Sequence, residues 1–253
     1  MEPVFVFHFH RKHITAILIG LIFLLEFRKG YFKRWRNWPK SFSWKPYQIP
    51  FLTLIILTLL TFLVDSWALG WIRLRNFPFS KGVVDLGSLM GRDINCFTAL
   101  AWLYVGAYTL KRERARKWIF GAVITSLMTS VVVTVFKFVL LRARPYGDLG
   151  PFSFFNWDGL TEDASLFQSF PSGDTAVVAG AASYFFYAAR KYLWRWAILL
   201  LPLCTAIARI SLNRHWPSDT LFSLGIGLLV GAIVWDYSRT FFESPPETKP
   251  LRS

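Results

Sequence analysis

Over half of the 253 residues are apolar, 17% are charged and mean hydropathy is +0.38. That balance excludes an ordinary soluble enzyme and a disordered chain and points to a membrane protein. A formal charge of +14 would suit nucleic acid, but the Lys and Arg residues sit in short runs between apolar stretches, so they read as topology signals and nucleic acid is excluded as a partner.

In chain order, the first apolar stretch is residues 14–26, with Arg11 and Lys12 before it and a basic run after it. It reads as a seventh span with its N-terminus outside or as an interfacial helix, with insertion favoured. No small-residue cleavage site follows, against a signal peptide. His8, His10 and His13 read as interfacial side chains, with metal binding the weaker alternative. Arg28, Lys29, Lys33, Arg34, Arg36, Lys40 and Lys45 then complete a first unit, residues 1–46.

Residues 47–240 form the second unit. It holds six stretches, at about 50–72, 94–110, 118–141, 172–189, 196–212 and 217–236, each near the roughly 20 residues that span a bilayer. Backbone groups in hydrocarbon must pair internally, so these are expected to be helices; the alternation of barrel strands is missing. The fold class is therefore all-α, a polytopic membrane helix bundle. Basic residues concentrate in 28–46, 111–117, 190–195 and beyond 238, which are expected to be cytoplasmic. The connections 73–93, 142–171 and 213–216 then lie on the other side. Asp65 reads as a helix-end residue meeting water or shaping a pocket. Cys96 and Cys204 read as small buried side chains. Phe152, Phe154, Phe155 and Trp157 make the loop 146–171 either a lipid access path or an interfacial anchor. The tail, 241–253, contains Pro245, Pro246 and Pro250 and reads as disordered.

Three polar clusters fall on the same expected side, away from the cytoplasm. Ionisable groups at membrane depth are costly and usually functional. The first holds Lys137, Arg142, Arg144 and Pro145. If the helix persists, Lys137 and Arg144 share a face about 10 Å apart, and Pro145 marks the helix exit. The two cations either grip a phosphate or snorkel to the headgroups. The second is Ser169-Phe170-Pro171-Ser172-Gly173-Asp174, where a helix start offers backbone N–H groups to an anion, or is an ordinary cap. The third holds Arg209, His215, Pro217 and Asp219. An Asp four residues after a His can accept its Nδ1–H and leave Nε2 free to attack; the plainer reading is an interfacial His.

Together these residues resemble the signature of the type 2 phosphatidic acid phosphatase (PAP2) family: KxxxxxxRP, then PSGH, then an Arg followed by His and Asp. The first and third parts match at Lys137/Arg144/Pro145 and Arg209/His215/Asp219. The second reads Pro171-Ser172-Gly173 with Asp174 in place of His. The resemblance implies a six-helix core over 47–240 and a metal-independent, cofactor-free phosphatase acting on a phosphorylated lipid in the bilayer. It implies that His215 is the nucleophile that becomes a phosphohistidine and Asp219 orients it, while Lys137, Arg144, Ser172, Gly173 and Arg209 bind the phosphoryl group. The charge map sets the site on the extracytoplasmic face with the tail cytoplasmic, and a bacterial inner membrane is the expected location. Asp174 stands where the family's acid protonates the leaving group. Three consequences are open: Asp174 is the acid, the substrate is a diphosphate with a good leaving group, or hydrolysis is weak. Phosphotransfer between lipids, and lipid binding or transport on a degraded site, are the competing functions.

Overall fold

The computed structural model describes residues 2–28, 43–74, 78–91 and 93–243. The basic segment 29–42, the tail from 244, and the side chains of His8 and His10 lie outside the described residues, and with them the readings placed there. Among the described residues all regular structure is helical: α1 (Glu2–Arg28), α2 (Gln48–Leu74), α3 (Pro78–Met90), α4 (Asp93–Thr109), α5 (Glu113–Leu140), α6 (Gly173–Ala188), α7 (Leu200–Ser211) and α8 (Pro217–Glu243), with single turns at Leu160–Asp163 and Arg195–Ile198.

Three segments, Lys45–Ile72, Glu113–Gly147 and Pro217–Arg239, are long and apolar enough to cross a bilayer by themselves. The other three expected spans are shorter: α4 has 17 residues, α6 has 16 and α7 has 12. α7 is short because the chain breaks at Leu199, between the Arg195–Ile198 turn and the new helix. Pro202 lies in that helix's first turn, where its missing N–H costs nothing. In the connection 73–93, α3 occupies most of the described residues. Two of its glycines permit close contact: a Cβ on Gly87 would collide with the Cys204 carbonyl, and one on Gly91 would lie 3.3 Å from an Arg209 nitrogen. Thus α3 packs on α7 beside Arg209.

α2 shows the inside-out pattern of a lipid-facing helix. Leu63 and Trp67 are 74% and 71% exposed, while Asp65 between them is fully buried. α6 occupies the centre, packed between α5 and α8. It is built from small residues, Ala176 to Ser183 with Gly180 among them, which allow close helix approach. Hydroxyls then join the helices: Ser126 Oγ donates to the Val177 carbonyl at 3.0 Å, and Ser183 Oγ to the Gly227 carbonyl at 2.8 Å. These contacts bring the end of α5, the start of α6 and the start of α8 to one end of the bundle.

The N-terminal apolar stretch belongs to one continuous helix, α1, laid against α4. Thr15 Oγ1 meets Thr98 Oγ1 at 2.8 Å, and further along Tyr104 donates to Glu26. Both residue numbers rise together, so α1 runs parallel to α4. Glu26 is also 3.1 Å from Arg116 of α5, both buried.

Candidate active site

The first cluster begins in the last turn of α5. That helix ends at Leu140 because Leu141 is left-handed (φ 41°, ψ 54°) and returns its N–H to the Lys137 carbonyl. Arg144 is extended (φ −76°, ψ 154°), as a residue before proline prefers. Helical persistence from Lys137 to Arg144 is therefore corrected: a turn, three residues before Pro145 would impose one, brings the two cations to the site. Lys137 Nζ donates to the Gln168 carbonyl at 3.2 Å and lies 3.6 Å from where a Cβ on Gly173 would sit. Lys137 is thus beside the start of α6.

His215 is buried in the loop before α8. Its Nδ1 lies 2.7 Å from the carbonyl oxygen of Ser169 and 3.6 Å from Asp219 Oδ2. A carbonyl only accepts, so Nδ1 carries the proton and Nε2 keeps its lone pair. The expected direct Nδ1–H bond to Asp219 is corrected accordingly: a backbone carbonyl fixes the tautomer, and the carboxylate acts on the ring by its charge. Burial, aided by the positive charges of Arg144 and Lys137 and opposed by Asp219, lowers the His215 pKa from 6.5 to about 4. At neutral pH the ring is uncharged and Nε2 has a lone pair to offer.

Asp219 is held from several directions. Its Oδ2 accepts from Ser169 Oγ at 2.5 Å and from the Trp216 amide at 2.8 Å, and its Oδ1 meets Arg142 at 2.5 Å. Arg142 is fully buried and reaches Asp65 of α2 at 2.6 Å. It also donates to Ser218 Oγ and the Pro151 carbonyl. Its guanidinium lies about 5 Å from the rings of Phe62, Phe154 and Trp216, a cation–π cage. Asp65 also accepts the Ser218 amide at 2.8 Å. The reading of Asp65 as a helix-end group meeting water is corrected: it joins α2 to the first turn of α8 through hydrogen bonds from Ser218 and to the loop after α5 through a fully buried ion pair with Arg142. Arg142, Asp65, Ser169 and Ser218 are supporting residues to which the sequence motifs assign no role. Asp65 carried a signal, being the one charged residue in an otherwise apolar stretch.

Ser172 caps α6 in extended conformation without a side-chain cap bond; its buried hydroxyl pairs with Thr175 Oγ1 at 2.9 Å. The first-turn amides beyond it are the groups a helix start leaves for an anion. Asp174 Oδ2 lies 3.0 Å from an Arg209 terminal nitrogen. The Nε atoms of Arg144 and Arg209 are buried and make no hydrogen bond among the described residues, and buried donors without acceptors are costly. The arrangement thus offers a neutral imidazole nucleophile, a carboxylate behind it and cationic donors around it. In the loop 146–171, Phe154 packs inward on Arg142 while Phe152, Phe155 and Trp157 point outward.

The profile of the PAP2 superfamily matches residues 116–243, which contain all three polar clusters. A lipid A 1-phosphatase of Rhizobium johnstonii is 30% identical over 132 residues, covering 50% of this chain and 52% of that protein. An undecaprenyl-diphosphatase of Sulfolobus acidocaldarius is 29% identical over 120 residues, covering 47% and 55%. The chain thus spans about half the length of these curated relatives. A crystal structure of Aquifex aeolicus LpxE superposes with a TM-score of 0.48 at 20% identity, covering 68% of this chain and 95% of that one.

Proposed function

The chain belongs to the PAP2 superfamily, and from that premise we propose that it is a membrane phosphatase that hydrolyses a lipid phosphate or diphosphate through His215. Nε2 attacks phosphorus, the N–P bond forms as the bond to the leaving oxygen breaks, and water then releases phosphate from the histidine. Arg144, Arg209, Lys137 and the amides at Gly173 hold the phosphoryl oxygens; positioning and charge stabilisation dominate such a transfer. Asp219, backed by Arg142, stabilises the positive ring that forms.

One observation carries this reading: a buried neutral imidazole whose proton is committed to the Ser169 carbonyl. Mere binding needs neither that tautomer nor the carboxylate behind it. The pairing of Asp174 with Arg209 bears on the substrate. Engaged by Arg209, Asp174 is a poorer proton donor than the histidine the family carries at this position, so a leaving group that departs as an anion suits the site. A diphosphate ester, whose leaving group is itself a lipid phosphate, meets that condition best, and one relative is named for undecaprenyl diphosphate.

The site faces the extracytoplasmic side in this reading, because the basic connections 111–117 and 190–195 lie at the opposite end of the bundle, and a bacterial inner membrane is the proposed location. A metal-free assay of phosphate release from lipid monophosphates and diphosphates, with His215→Ala as control, tests the function. Release by wild type alone supports it. Equal release by His215→Ala, or transfer of label to an acceptor lipid in place of water, contradicts it.

A further inference from the structure

A second concave site lies at the other end of the bundle. The N-terminus of α5 and the chain leaving α6 enclose a cavity of about 440 Å³. Its walls include Arg114, Lys117, Arg190 and Lys191, with Trp118 and Trp235 at its sides. Trp118 and Lys137 are 19 residues apart on α5, about 28 Å along a helix axis. That is close to one hydrocarbon thickness, so this cavity opens to the leaflet that the catalytic site does not face.

Its chemistry selects an anion. Among the described residues that line it four are basic and one is acidic, Glu113, and that carboxylate is held at 2.5 Å by Arg116. Arg114 is preorganised, its guanidinium 4.8 Å from the Trp118 ring centroid; stacking on the ring leaves the planar N–H edge for a phosphate. The 28-residue α5 starts at the cavity, adding the positive end of its dipole. Tryptophans at this level are headgroup-depth anchors, which favours a lipid over a soluble ion. We propose that this cavity seats the phosphate of an anionic phospholipid headgroup in the leaflet opposite the catalytic site. Basic pockets between spanning helices take such headgroups.

Native mass spectrometry of the full chain released from micelles tests this with three probes: phosphatidylglycerol, phosphatidylcholine and inorganic phosphate. Phosphatidylglycerol is a phosphodiester, so it is no substrate for monoester hydrolysis. Wild type and Arg144→Gln should both retain one phosphatidylglycerol. The combined variant R114Q/K117Q/R190Q/K191Q should bind it roughly tenfold more weakly or worse, as charge-assisted bonds of this kind warrant, with phosphate release in neutral micelles unchanged. The exposed single change Lys191→Glu gives a weaker loss in the same direction should the combined variant fail to fold. Undiminished retention by the folded combined variant, equal retention of phosphatidylcholine, or displacement of the lipid by equimolar inorganic phosphate would each overturn the proposal.

Discussion

Arg142 and Asp219 meet at 2.5 Å with both side chains fully buried, and the same guanidinium holds Asp65 of α2 at 2.6 Å. One cation thereby ties a lipid-facing helix, the loop after α5 and the carboxylate behind His215 into a single unit. Removing one partner of a buried ion pair leaves an uncompensated charge, at a cost of about 3–5 kcal/mol. Arg142→Met should therefore lower stability in detergent by about that amount and abolish turnover. Asp65→Asn should be milder, since Asp219 still neutralises the guanidinium. Thermal unfolding with phosphate release on each variant checks both, and a stable, fully active Arg142→Met would remove Arg142 from the account.

A different dissection applies to Asp219 and Ser169. The Ser169 carbonyl holds His215 Nδ1, so the tautomer does not depend on the carboxylate. Asp219→Asn should lower turnover by about two orders of magnitude, the scale of losing one electrostatic stabiliser, yet leave activity above that of His215→Ala. Ser169→Ala removes only the hydroxyl bond to Asp219 and should lose less than Asp219→Asn. If Asp219→Asn fell to the level of His215→Ala while remaining folded, the carboxylate would be the group that sets the tautomer.

The pH profile follows from the burial of His215. Its pKa in the fold is about 4, against about 6.5 in the unfolded chain. Nε2 is therefore unprotonated down to that lower value, and the acid limb of kcat/KM assigned to this residue should have its midpoint near 4. The linked stability has the same sign: burial favours the neutral ring, so the contribution is present above about 6.5 and fades as pH falls towards the folded value. An acid limb centred near the unfolded value would show that the imidazole is solvated.

Asp174 supplies the substrate prediction. With its carboxylate on Arg209, Asp174→Asn should leave diphosphate hydrolysis within a few-fold of wild type. Asp174→His should instead raise monophosphate hydrolysis by at least about tenfold, because a positioned general acid contributes upward of 10²-fold. Loss of both activities in Asp174→Asn would identify Asp174 as the proton donor.

Much of this architecture can be read from residue order. Pro171 and Pro217 mark the starts of α6 and α8, and the three polar clusters meet at one end of the bundle as charge topology requires. Three features could not be read that way. The left-handed Leu141 ends α5 early, and nothing in an apolar Leu announces it. The partner of His215 Nδ1 is a backbone carbonyl 46 residues earlier, which residue identity does not encode. Arg142 was visible, but its partner Asp65 lies 77 residues away, so only packing reveals the pair. The four-residue spacing of His215 and Asp219 does set the two side chains 3.6 Å apart, as the sequence led one to expect.

The central claim is that His215 takes the phosphoryl group, and rapid quenching with a phosphoryl-labelled lipid diphosphate, followed by peptide mass spectrometry, tests it most directly. The account predicts an alkali-stable, acid-labile label on His215 in wild type and none in His215→Ala, which releases no phosphate. Phosphate release by His215→Ala at the wild-type rate, with no histidine label in either protein, would contradict it.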